Sequence, residues 1–271
     1  MYNLKNKTAV ITGAGGKYGI GRSIALRLAS EGANIVVNDL KTKIKELNNL
    51  RELITKKSSD CLVVCGDISK SKDVEFLIKK TNKKFNRIDI LINNAAASAK
   101  FDRVPIISLR EKIWDNIHDI NLKGTFLSCK FVAKEMIKNN NGGKIINISS
   151  SVGKDYVKEN YGAYSSSKFA IRGLTQVLAK ELGKHNIMVN AICPGAIVTE
   201  RTNNIVKSLY KNEANLNKAI KKYVKEYGDD TPLGRLCTTE DVSNLAAFLC
   251  SKESDFITGK SITLDGGKNT D

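Results

Sequence analysis

The chain has 271 residues, 41% hydrophobic and 27% charged, with 44 basic against 28 acidic side chains and a formal net charge of +16. That length can bury a core of ordinary size, and no segment is apolar for long enough to cross a bilayer. The opening MYNLKNKTAV has no apolar run of the signal-peptide kind, so a cytoplasmic protein without a membrane partner is expected.

The first strand candidate is TAVIT (8–12), followed by TGAGGKYGIGRSIA (12–25). Glycines at this density let backbone amides approach a phosphate closely at the positive end of a helix dipole. A helical stretch follows, with Ile24 and Leu28 four apart and Gly32 as its stop. NIVVN (34–38) is the second strand candidate and runs into Asp39. An acid at this distance past a glycine loop can accept hydrogen bonds from an adenosine ribose and would repel a 2′-phosphate. Asp39 therefore points to NAD(H), while Lys17 inside the loop is a basic counterweight that keeps NADP(H) open. CLVVC (61–65) and IDILIN (88–93) are the next strands. Cys61 and Cys65 flank the former as small core residues, and six scattered cysteines with only two histidines predict no metal site.

KIINIS (144–149) leads into three serines, Ser149, Ser150 and Ser151, of which any can present a hydroxyl at the carboxyl edge of a sheet. NYGAYSSSK (160–168) then sets Tyr164 and Lys168 four apart on one helical face, whereas Tyr161 faces only Ser165. Of the eight tyrosines only Tyr164 has a lysine at this spacing. A tyrosine has an unperturbed pKa near 10, too high for easy proton exchange at neutral pH. A neighbouring ammonium stabilises the phenolate and lowers that value, which is what a general acid/base for a carbonyl or alcohol oxygen needs. IMVNAIC (187–193) and SITL (261–264) complete the strands. Between them, 199–236 is polar, lysine-rich and partly helical in pattern; the part at 199–232 is expected to be a substrate-binding loop or lid, with a solvated helical insertion as the plain alternative.

Near-continuous apolar strands alternating with helical stretches predict an α/β fold: a doubly wound parallel sheet in one domain over 1–271. The dispersed lysines, with no arginine-rich arm, weigh against nucleic acid as a partner.

Taken in order, these segments resemble the short-chain dehydrogenase/reductase family. Thr12, Gly13, Gly19, Ile20 and Gly21 match its T-G-x-x-x-G-x-G, with two extra residues between Gly13 and Gly19. CGDIS (65–69) matches its third-strand ending, INNAAAS (92–98) its N-N-A-G with Ala96 for glycine, INLKGTF (120–126) its helix-four asparagine motif, and NAICPGAIVTE (190–200) its P-G motif. The resemblance implies a Rossmann-type sheet of strand order 3-2-1-4-5-6-7, a homotetramer, and reversible hydride transfer between a nicotinamide cofactor and a small alcohol or ketone. It implies cofactor contacts from Gly13, Gly19, Ile20, Asp39, Asp67, Ile68, Asn94, Tyr164, Lys168, Pro194, Gly195, Ile197 and Thr199. It implies a catalytic set of Asn121, Ser150, Tyr164 and Lys168, with Asn121 at a helix distortion holding a relay water. Ser150 fits because Gly153 then falls at the family offset; Ser149 and Ser151 remain alternatives. Within the family, a 3-oxoacyl-carrier-protein reductase is the nearest alternative, since an acidic carrier suits a basic surface; outside it stands a non-catalytic dinucleotide-sensing or RNA-binding protein. Specificity is expected in 95–107 and 199–232, where Phe101, Tyr156 and Tyr161 are candidates for an apolar pocket.

Overall fold

The computed structural model describes residues 2–57, 59–97, 103–154, 157–210 and 215–269; Phe101 and Tyr156 lie outside them. Seven strands, β1 (Thr8–Thr12), β2 (Asn34–Asp39), β3 (Cys61–Cys65), β4 (Ile90–Asn93), β5 (Gly143–Ile148), β6 (Ile187–Pro194) and β7 (Ser261–Leu264), form one sheet. Their order is β3-β2-β1-β4-β5-β6-β7, as expected from the family resemblance. Every pairing is parallel.

Helices cover both faces, which is why the strands read as unbroken apolar runs. On one face, Ile24 and Leu28 of α1 (Ile20–Ser30), Leu47, Leu50 and Ile54 of α2 (Ile44–Thr55), and Val242 and Leu249 of α9 (Thr239–Cys250) pack on Ile11, Ile35, Val37, Ile92 and Ile146. On the other, Leu77 of α3 (Ser71–Phe85), Val132 and Met136 of α5 (Gly124–Asn139), and Leu182 of α6 (Gly162–Leu182) pack on Val10, Val36, Leu91, Ile145 and Val189. Val10 and Ile11 thus serve opposite cores, as successive strand residues must. Each large side chain so buried contributes about 1.5–3 kcal/mol.

Where strand boundaries differ from the sequence pattern they do so by one or two residues, most at β4. β4 begins at Ile90; just before it, the Asp89 amide donates to the Thr8 carbonyl and its carbonyl accepts the Lys144 amide, while its carboxylate accepts the Thr8 amide at 2.9 Å and is held by Arg87. The 199–232 stretch contains two helices, α7 (Glu200–Leu209) and α8 (Leu216–Asp229), joined around a small core of Val206, Ala219 and Tyr223. The remaining helix, α4 (Glu111–His118), runs into a π-helical turn over Asp119–Lys123 before α5.

β1 lies between β2 and β4, so the chain leaves it in opposite directions on its two sides. The carboxyl ends diverge there and open a crevice, the usual ligand position in such sheets. The register of β5 is set on its other side by Gly142, whose φ is +65°. A Cβ on Gly142 would lie 2.6 Å from the Asn186 carbonyl oxygen that also accepts the Gly143 amide. Gly142→Ala should therefore lower stability by about 2 kcal/mol, from left-handed strain plus the clash, which urea unfolding followed by circular dichroism would measure; a midpoint equal to wild type would contradict the register argument.

Candidate active site

A cavity of about 780 Å³ runs along the carboxyl edge of the sheet. At one end it is lined by Asp39, Asp67 and Ile68, in the middle by Gly13, Gly16, Gly19, Ile20 and Asn94, and at the other end by Ser150, Tyr164, Lys168, Pro194, Gly195, Ile197 and Thr199. Residues from seven separate sequence motifs thus share one wall. Of the residues expected to be catalytic or to contact the cofactor, Asn121 alone is not in the lining; it is fully buried behind it.

The glycine loop is stitched to the end of β4. Asn94 donates from Nδ2 to the carbonyls of Thr12 at 3.0 Å and Gly13 at 2.9 Å, while Thr12 Oγ1 accepts the Asn94 and Ala95 amides. This closeness leaves no room for side chains: a Cβ on Gly13 would lie 2.6 Å from Ala95 Cα, and one on Gly21 would lie 2.5 Å from Asn94 Nδ2. Gly19 begins α1 with no side-chain cap, so the first helical amides keep the donors and dipole that suit an anion. Lys17 and Tyr18 form the outer part of the loop, and Tyr18 is 64% exposed. Asp39 closes the loop from the β2 side, accepting the Gly15 amide at 2.8 Å. Glycine-rich backbone, an open helix N-terminus, a carboxylate at the end of β2 and a long groove together fit a dinucleotide.

At the other end, β5 runs out into Ser149–Ser151 and α6 crosses over it. Ser149 points inward, donating to the Lys168 carbonyl at 2.9 Å, and is buried; Ser150 is extended and lines the cavity. Of the three serines it is Ser150 whose hydroxyl hydrogen-bonds the Tyr164 phenol. Lys168 is 2% exposed and donates from Nζ to the Ile148 carbonyl at 2.7 Å. Its Nζ lies 5.8 Å from the centroid of the Tyr164 ring. Burial alone would raise the Tyr164 pKa, but the charges of Arg201, Lys168 and Arg103 and the Ser150 hydrogen bond outweigh it and hold the phenol below its ordinary value. Burial likewise pushes the Lys168 ammonium down, against the attraction of Tyr164.

Asn121 occupies the π-helical turn. Its Oδ1 accepts the Ala97 amide at 2.8 Å, its Nδ2 donates to Ser167 Oγ at 2.9 Å, and its carbonyl accepts from Thr125 Oγ1 at 2.7 Å. The side chain therefore ties the segment after β4 to α6 from beneath the site.

The whole chain also resembles known proteins. Residues 13–269 match the family model described as enoyl-(acyl carrier protein) reductase. A diacetyl reductase, (S)-acetoin forming, of Staphylococcus epidermidis is 37% identical over 97% of this chain and 98% of its own length. A 3-oxoacyl-acyl-carrier-protein reductase of the same species is 35% identical over 97% and 98%. The crystal structure of levodione reductase superposes with a TM-score of 0.86 at 29% identity, over 97% of this chain and 98% of that one. The chain belongs to the short-chain dehydrogenase/reductase family. It is an NAD(P)-dependent oxidoreductase of the alcohol and carbonyl class.

For a short-chain dehydrogenase/reductase, three features of this site were not legible in the sequence. Arg103 and Arg201 lie over the Tyr164 ring, at 4.9 Å and 4.3 Å from its centroid. Glu200 reaches the glycine loop, accepting the Lys17 amide at 2.5 Å and pairing with Lys43 Nζ at 3.6 Å. Each lies far in the chain from the group it reaches, so no spacing rule could have paired them. His118, the histidine nearest the site, bridges Trp114 and Ser166 and stays outside the cavity lining.

The loop stitching has a direct test. Gly21→Ala should weaken NADH binding at least tenfold, by pushing Asn94 and the loop out of position, with fluorescence quenching as the measurement; unchanged affinity would show that the close approach is dispensable.

Proposed function

We propose that this enzyme is an NAD(H)-preferring dehydrogenase/reductase in which Tyr164 is the general acid/base for the substrate oxygen. The observation that carries this is the phenol's setting: one cavity brings it the nearby charges of Arg201 and Lys168 and a hydrogen bond with Ser150, and together these favour its ionised form against the effect of burial. A bound nicotinamide supplies or accepts the hydride at the substrate carbon. In the reducing direction the Tyr164 O–H bond breaks as the carbonyl oxygen takes its proton, and the phenolate left behind is stabilised by Lys168. In the oxidising direction the phenolate takes the proton back from the alcohol. Ser150 orients the substrate oxygen by hydrogen bonding, which strengthens as charge develops there. With the cofactor bound, Lys168 would also hold the nicotinamide ribose, and Asn121, whose carbonyl has a second lone pair beside the Thr125 bond, would hold the relay water.

Asp39 supports the NAD(H) preference, because a 2′-phosphate brought to the end of β2 would meet its carboxylate. The chain works as one dinucleotide-binding domain, with α7 and α8 at 199–232 acting as the lid. Exposed Phe126 on α5 with Phe169 and Val177 on α6 support assembly with further copies into a homotetramer. A 3-oxoacyl-carrier-protein substrate is the second reading, favoured by the +16 charge.

Tyr164→Phe should bind NADH as wild type does, more tightly than NADPH, and lose turnover by at least 100-fold across a panel of alcohols and ketones. Preserved turnover would sink the assignment. A pH profile adds a second check. Alcohol oxidation needs the phenolate, so its rate climbs with pH through the Tyr164 pKa. Arg201 holds that pKa down; Arg201→Met should therefore move the acid limb of the oxidation profile to higher pH, and a limb that stays put or moves lower would contradict the electrostatic assignment.

A further inference from the structure

The groove that fits a dinucleotide is bridged beside the glycine loop by a contact between protein groups alone. Glu200 opens α7, after β6, and its Oε1 accepts the Lys17 amide of the loop at 2.5 Å. Its Oε2 lies 3.6 Å from Lys43 Nζ. Lys43 ends the short 3-10 turn between β2 and α2, so the contact joins the segments that follow β1, β2 and β6. Glu200, Lys43 and Gly16 line the same cavity as Gly13, Gly19 and Asn94. The Glu200 and Lys43 side chains are 39% and 38% exposed, whereas Ala14 and Gly15 behind the loop are buried. The contact therefore stands at the open side of the groove.

Both anchors are fixed. The first turn of α7 is capped, with the Thr199 amide donating to Thr202 Oγ1 at 2.8 Å. The stem of Lys43 lies against the loop, since a Cβ on Gly15 would lie 2.7 Å from Lys43 Cβ. A bare carboxylate beside a phosphate cradle would repel a diphosphate. Here the Lys43 ammonium offsets that charge, and the Lys17 amide gives Glu200 a charge-assisted bond. The result is a neutral crosspiece. Every group in it belongs to the protein, so it has to part when a dinucleotide enters and again when one leaves. An ordinary ligand contact slows departure alone, but a crosspiece slows both directions and leaves their ratio nearly unchanged.

We infer that Glu200, bound to the Lys17 amide and paired with Lys43, is a latch over the glycine loop that sets the rate of cofactor exchange. This rests on the reading of α7 as a lid and is independent of the chemistry at Tyr164. NADH and NADPH share the diphosphate, so both serve as probes, with association and dissociation followed by stopped-flow fluorescence. Glu200→Ala should raise kon and koff each at least about fivefold and keep Kd within about threefold of wild type. Glu200→Gln keeps an acceptor for the Lys17 amide but loses the ion pair, so its rates should fall between. Lys43→Met should raise both rates, and by less than about twofold in the Glu200→Ala background, because the two residues act through one carboxylate. Inorganic pyrophosphate, added as a competitor, reports on the loop itself. It should bind Glu200→Ala at least as tightly as wild type, since one like charge is gone. Weaker pyrophosphate binding with a lower kon would mean that Glu200 shapes the loop, and would overturn the latch. A rise in koff with kon unchanged would overturn it too, by making Glu200 a plain cofactor contact. Rates equal to wild type would do the same while leaving α7 as a lid over the substrate end alone.

Discussion

The site depends on one buried ammonium. Taking a charged lysine out of water costs several kcal/mol unless it is paired and hydrogen-bonded. Lys168 meets that cost with a backbone carbonyl, Ile148 at 2.7 Å, and with the phenol one turn earlier on the same helix. The bond to Ile148 crosses from α6 to the last residue of β5, and Ser149 returns another from the next residue to the Lys168 carbonyl. Strand end and helix are thereby locked in one relative position. Gly153 shows how tight the lock is: a Cβ there would lie 2.4 Å from Lys168 Cβ. Lys168 thus fixes the height of Tyr164 above the sheet as well as its charge state.

The same logic of backbone groups satisfied across the crevice governs the opposite wall. At the switch point between β1 and β4, Asn94 and Thr12 exchange hydrogen bonds that would otherwise be missing where the strands part. Because these bonds are made by a side-chain amide and a hydroxyl, they hold the glycine loop to β4 without drawing on its amides, of which those of Gly15 and Lys17 are taken by Asp39 and Glu200. That division leaves loop donors for a ligand while keeping the loop rigid, which is the arrangement a phosphate cradle needs.

How far this was readable from sequence follows from the range of each interaction. Tyr164 and Lys168 were legible because helix geometry fixes residues four apart. The sheet order followed from the resemblance, and the parallel sheet itself from strands apolar on both faces. Ser150 could not be separated from Ser149 and Ser151 by residue type; strand-end alternation, which turns Ser149 inward and Ser150 toward the cavity, decides which hydroxyl reaches the phenol. The π-helical turn at Asn121 left no mark in the periodicity, since one extra residue in a long amphipathic run barely shifts it. Arg103 and Arg201 were invisible for a stronger reason. They are nearly a hundred positions apart, and only the fold brings both guanidinium groups to one ring.

Arg201 and its neighbour Glu200 also link α7 to two parts of the cavity. Thr199 and Thr202 cap the start of α7 reciprocally, so its first turn is a stiff unit. Within that turn, adjacent residues face different tasks: Glu200 meets the glycine loop through the Lys17 amide and Lys43, and Arg201 meets the Tyr164 ring. One rigid turn therefore sets both a carboxylate at the cofactor groove and a cation at the phenol. The electrostatics of proton transfer are then tied to how α7 seats on the loop, because moving Glu200 away moves the Arg201 charge from the ring as well. In water such a coupling would be screened to little, but inside a cavity of low polarity the same displacement changes the acidity of Tyr164 directly. The seating of α7 on the glycine loop and the acidity of the phenol are, on this geometry, set by one turn.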